Sequence, residues 1–176
     1  MSTSAIVNIR NLNIDLVSFA EPKKGKGVSV SVKYAGQILN LRLPRLAFPG
    51  GLLQRANDNG QINYTLMASL KGCDPYAKDR CTDETDIAKL YNFLIDFQEK
   101  LIKTATENSA KWFGKKRGEE SIRDSFNGRT LLSISQDKVG DEWVANGKYP
   151  PSIKMKIPVY DNRVSMEVVD KNGSEV

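Results

Sequence analysis

Histidine is absent from all 176 residues. Its absence removes the side chain that most often moves protons near neutral pH, so Ser-His-Asp and Cys-His machinery is excluded. Cysteine is scarce, with only Cys73 and Cys81 present. A structural zinc site takes four Cys or His ligands, so two thiols without histidine predict no zinc centre. In a reducing compartment these thiols are expected to stay reduced and structural. No run of about 18 apolar residues occurs, which predicts no membrane span. The opening MSTSAIVNIRNLNIDL lacks a charged stretch followed by an apolar one, so a non-secreted protein is expected. GKKRG (114–118) lacks the spacing and the Ser/Thr of a P-loop, and no GxGxxG occurs. These absences predict a binding protein without catalysis, cofactor or metal.

What is present is basic. The net charge is +5 and the pI about 9.1, which favours an anionic partner such as nucleic acid. The cations cluster at Lys23, Lys24 and Lys26, at Lys111 to Arg117, and at Lys148, Lys154 and Lys156. Asp83, Glu84 and Asp86 gather at an expected helix start, where acids complement the helix dipole.

Periodicity supplies the elements. LNIDLVSF (12–19) reads as a first strand, and EPKKGKG as a turn or loop. GVSVSVKYA alternates, with Val28, Val30, Val32 and Tyr34 on one face, and QILNLRL alternates after Ala35-Gly36, together a hairpin. QINYTLMASL (61–70) is a further strand, with Ile62, Tyr64, Leu66 and Ala68 on one side. Over about 84–107, Ile87, Leu90, Tyr91, Leu94, Phe97, Leu101, Ile102 and Ala105 form one apolar helical stripe, with Thr82 or Asp83 as N-cap. Residues 119–126 predict a short helix stopped by Asn127-Gly128. TLLSISQ (130–136) predicts a strand, residues 137–151 a long polar loop, and 152–160 and 162–170 two more strands. The order predicts one α+β, mainly β domain over 1–176, with a Greek-key barrel or sandwich favoured over a βαβ sheet.

Several stretches carry candidate chemistry. AKWFGKKRG (110–118) sets Trp112 and Phe113 among Lys111, Lys115, Lys116 and Arg117. It suits a helix end that buries aromatics and solvates cations. It equally suits a surface where bases stack on rings while Lys and Arg neutralise phosphates. In KYPPSIKMKIP (148–158), alternation puts Lys154 and Lys156 on one strand face, about 7 Å apart by strand rise. Tyr149, ahead of a rigid Pro-Pro, is placed to stack on a base; the competing reading is an edge strand whose lysines deter aggregation. Trp143, flanked by Asp141 and Glu142, is expected to anchor a loop onto the core. Asp124 followed by Gln136-Asp137-Lys138 loosely matches the Asp, Glu or Gln, Lys order of some magnesium nucleases.

The combination of AKWFGKK, a short helix, a strand and KYPPSIKMKIPVYD resembles the OB-fold single-stranded DNA-binding proteins of large DNA viruses, which are similar to the replication single-stranded DNA-binding proteins of some tailed phages. The resemblance is clearest over about 84–160. It implies an OB-like Greek-key barrel with a helical insertion at about 84–126. It also implies binding of single-stranded DNA without sequence preference in replication, recombination or repair, in the host cytoplasm or nucleus where viral replication takes place. A homodimer or cooperative self-association and contacts with replication proteins are implied partners. Carried onto this chain, Lys111, Trp112, Phe113, Lys115, Tyr149, Lys154 and Lys156 lie near the strand. The competing expectation is a virion-associated structural or assembly protein without catalytic activity.

Overall fold

The structure is a computed structural model, and it describes residues 4–25, 27–126, 131–161 and 163–166. In chain order its strands are β1 (Ser4–Asn8), β2 (Val17–Phe19), β3 (Lys23–Lys24), β4 (Val28–Ser29), β5 (Val32–Tyr34), β6 (Gln37–Arg42), β7 (Leu52–Ala56) and β8 (Ile62–Ser69). Helices α1 (Asp86–Glu107), α2 (Ser109–Phe113) and α3 (Glu119–Phe126) follow. The chain then gives β9 (Leu132–Ser133), β10 (Gln136–Val139), β11 (Glu142–Ala145), β12 (Ser152–Ile157), β13 (Val159–Tyr160) and β14 (Arg163–Val164).

This is an α+β fold. Two four-stranded sheets, ordered β1-β6-β5-β2 and β7-β8-β12-β9, accompany three separate strand pairs, and none of these sheets closes into a barrel. The helices enter between β8 and β9, which both pair with β12. No helix of the described residues is long and apolar enough to cross a membrane.

The hairpin read from alternation forms between β5 and β6. Its two-residue turn, Ala35-Gly36, holds φ of 47° and 84°, the doubly positive backbone that matches strand twist. Leu39 and Leu41 face the core, as their alternation requires. The stretch 12–19 differs from expectation. Asn8 and Asn13 side chains accept the backbone N–H groups of Arg10 and Asp15, and each starts a 3-10 turn instead of a strand. Of this stretch Val17–Phe19 pairs as a strand, while the unexpected β1 runs parallel to β6.

The long helix runs from Asp86. Its cap is Thr85, not Thr82 or Asp83: the Thr85 hydroxyl accepts the N–H of Ala88 at 3.1 Å. Every residue of the predicted stripe is buried or half-buried. The N-terminal half of α1 packs into one core with Val7, Val17, Tyr34, Leu70 and Leu132. Its C-terminal half packs Ile102 and Ala105 into a second core with Trp112 of α2 and Ile122 of α3. The helix therefore joins the sheets to the segment that carries the aromatic–basic motif.

The short helix at 119–126 forms as expected, and its stop at Asn127-Gly128 lies outside the described residues. Of the strand expected at 130–136, Leu132–Ser133 is seen and Gln136 opens β10, while Thr130 lies outside the described residues. The polar loop expected at 137–151 is instead largely the hairpin β10–β11, turned at Gly140 with φ 61°. The strand expected at 152–160 breaks at Pro158, which has no N–H to give a ladder. Of the strand expected at 162–170, Arg163–Val164 is seen; Asn162 and 167–170 lie outside the described residues. Cys73 and Cys81 are free thiols.

Candidate nucleic-acid interface

The aromatic–basic stretch divides between two roles. Helix α1 breaks at Asn108, whose N–H bonds back to Thr104, and α2 restarts one residue later. Trp112 continues the spacing of Ile102, Ala105 and Ser109 and turns inward, 9% exposed in the second core. Its ring meets Phe19 edge-on at 5.8 Å, Phe19 meets Phe97 at 5.9 Å, and Phe97 meets Phe93 at 6.0 Å. Trp112 thus ends a run of aromatics that starts in the first core, and it holds α2 down.

Phe113 points the other way and is 45% exposed. It touches Trp112 edge-on at 6.4 Å, and the Arg117 guanidinium lies over its ring at 5.4 Å. Two devices set this geometry. Gly114 ends α2 in the left-handed region at φ 74°; a Cβ there would meet nothing, so conformation alone favours glycine. The buried Ser109 hydroxyl then accepts the Arg117 N–H at 3.0 Å, which folds 114–117 back over α2.

The returning turn faces the hairpin β3–β4. Between them lies an open groove of about 930 Å³, lined by Lys24 and Val28 on one side and by Phe113, Lys115 and Arg117 on the other. Two basic clusters of the sequence therefore meet here across some ninety positions, although Lys26 lies outside the described residues. Lys111 also lines the groove, but it is paired with Glu21. Lys24, Lys115, Lys116 and Arg117 make no ion pair with a described residue, and Lys116 stands outside the lining.

The second element sits on the other sheet. Lys154 and Lys156 are exposed on β12, while Ile153, Met155 and Ile157 are half-buried, as alternation predicts. Register places Lys154 opposite Met67 and Lys156 opposite Thr65 on β8. Thr65 pairs with Leu53, and Asn63 with Arg55, so Arg55 of β7 shares the lysine face. None of these three cations is ion-paired to a described residue. β9 joins β12 only at Ser152 and Ile153, so among the described residues Lys154 and Lys156 are paired on the β8 side alone, and the reading of lysines that guard an open sheet edge stands beside the phosphate-contact one.

Tyr149 is 68% exposed, just ahead of Pro151, which is buried and whose carbonyl accepts the Leu70 N–H. Its neighbour Lys148 is bound to Asp137 at 2.8 Å; the pair raises the lysine's pKa and holds the carboxyl below the usual range. Gly147 is tightly constrained, because a Cβ there would lie 2.5 Å from the Tyr76 hydroxyl. No residue of 148–156 lines the groove at 110–117, so the expected site falls on two surfaces.

Two sequence readings are corrected. Trp143 does not anchor a loop to the core; it stands 65% exposed on β11, opposite Lys138. The nuclease-like set is dispersed, with Asp124 on α3, Asp137 bound to Lys148 and Lys138 facing Trp143. Among the described residues no group of three or more His, Cys, Asp or Glu could hold a metal ion. Lys24 and Arg55 are the site cations that sequence reasoning missed; the first was visible only as part of a local cluster, and the second carries no sequence signal. Comparison with family models, curated proteins and solved structures gave no match.

Proposed function

We propose that this protein binds single-stranded nucleic acid without sequence preference, single-stranded DNA in replication, recombination or repair, and has no catalysis of its own. The observation that carries the reading is the groove where exposed Phe113 lies under Arg117 and beside Lys24 and Lys115, which make no ion pair with a described residue. A ring offers a stacking face to any base, and unpaired cations neutralise phosphates by releasing counterions. The face with Arg55, Lys154 and Lys156 is the second phosphate-contacting surface in this account. The resemblance of AKWFGKK and KYPPSIKMKIPVYD to viral single-stranded DNA-binding proteins supports the same assignment. The finer fold reading, an OB-like Greek-key barrel with helices inserted, is proposed with it. The helical insertion between two strands of one sheet and the pairing of strands distant in sequence support that reading.

The test is titration of a labelled oligo-dT, followed by anisotropy over a salt series. Affinity should fall with a log–log slope near −0.7 for each phosphate neutralised. Lys115→Glu with Arg117→Glu should weaken binding and flatten the slope. Absence of salt-sensitive binding would overturn the proposal.

A virion-associated assembly protein is the second reading, and one observation favours it: β10–β11 projects apolar side chains into solvent.

A further inference from the structure

Among the described residues the hairpin β10–β11 pairs with no other strand, and seven of its eight strand residues are exposed. Val139 is 62% exposed, and Trp143 and Val144 stand out with it. Val139 and Val144 share one face with Glu142, and Trp143 shares the other with Lys138, so the tip exposes apolar side chains on both faces, and exposed apolar side chains on a projecting element mark a surface that something covers. Its charge narrows the choice of partner. Asp137 is neutralised by Lys148, whereas Asp141 and Glu142 make no ion pair with a described residue and outnumber Lys138. An acidic, apolar finger is a poor match for phosphates or an anionic lipid surface, where like charges repel. Its complement is a cationic, apolar hollow.

The groove at 110–117 is such a hollow. It offers exposed Phe113 and Val28 between Lys24, Lys115 and Arg117, and its 930 Å³ or so has room for an indole. No residue of the hairpin lines it, so hairpin and groove do not meet within one chain. We propose that the β10–β11 tip of one copy seats in the groove of a second copy, with Trp143 on one hairpin face against Phe113, Asp141 at the turn facing Lys115 and Arg117, and Glu142 on the opposite face toward Lys24. The contact is heterologous. Each union leaves one free hairpin and one free groove, so copies add head to tail instead of stopping at a dimer. The hairpin and a nucleic-acid strand compete for this one groove, and self-association is tested without nucleic acid, so either idea can fail alone.

The experiment is sedimentation velocity on the full chain, with two variants altered at exposed side chains and at the half-buried Arg117. One carries Glu142→Gln and Trp143→Ala; the other carries Lys115→Ala and Arg117→Ala. Wild type should gain mass beyond dimer as concentration rises. Each variant alone should stay monomeric at concentrations where wild type associates. Mixed in equal amounts, they should give a dimer and nothing larger, since one supplies an intact groove and the other an intact hairpin. A monomeric wild type, variants that associate like wild type, or a mixture that stays monomeric would each overturn the proposal. Should a variant misfold by circular dichroism, wild-type emission decides. Trp143 fluorescence should shift to the blue with concentration and lose that shift in Trp143→Phe. No shift would contradict the contact.

Discussion

At the residue scale, adjacent aromatics do opposite work. Trp112 is surrounded by Phe19, Ile102 and Ile122, whereas Phe113 keeps one face for solvent and for Arg117. Trp112→Ala should therefore cost about 3–5 kcal/mol in urea unfolding, as large-to-small changes in a core do. Phe113→Ala should leave the unfolding midpoint nearly unchanged and weaken oligo-dT binding by about 1–3 kcal/mol, the loss of one stacked base. The two changes are distinguished by measuring unfolding and titration on each. The sequence placed both rings in one motif but could not tell them apart. The structure separates them: Trp112 continues the three-and-four spacing of Ile102, Ala105 and Ser109 and is buried with them, while Phe113 falls one position off that stripe.

At the element scale, legibility follows the range of the interaction. Helix α1, the β5–β6 hairpin and the Lys154/Lys156 face of β12 were readable because their signals are local periodicities. Helix capping was legible in kind and displaced by two or three positions. Thr85→Ala should cost about 1 kcal/mol, measured by urea unfolding, while the same change at Thr82 should cost almost nothing. The β10–β11 hairpin was unreadable as a strand pair because its alternation has no buried face: polar residues and exposed apolar ones take turns on both sides. The broken strand at 12–19 was misread because Asn13 offers its side chain to the backbone, a local competition that alternation does not register. The groove was out of reach altogether, since it needs β3–β4 and the turn after α2 to meet.

At the scale of the whole molecule, stability should fall at both ends of the pH range. Backbone N–H groups hold the Asp74 carboxyl below its ordinary range, and Arg10, Arg123 and Lys148 do the same for Asp86, Glu99 and Asp137. A depressed carboxyl stabilises the fold above its unfolded pKa, and that contribution is lost as pH falls through its folded one, so unfolding should ease below about pH 4. Burial raises the Tyr91 phenol to about 12 and raises the Cys73 thiol. The Tyr91 hydroxyl donates to the Asp79 carbonyl at 2.7 Å, a bond the phenolate cannot make. A raised acid stabilises the fold below its unfolded pKa, near 10 for tyrosine, and that contribution disappears as pH climbs toward the folded value. Thermal melts across pH should show a plateau between these limits.

The central claim is that the chain grips a single strand through the groove of Phe113, Lys24, Lys115 and Arg117. It is tested most directly by oligo-dT anisotropy titrations at several salt concentrations on wild type and on Lys115→Glu with Arg117→Glu. The account predicts salt-sensitive binding by wild type, with both affinity and salt slope reduced in the variant while its melting temperature holds. Binding that is absent, or identical in the two proteins, would contradict it.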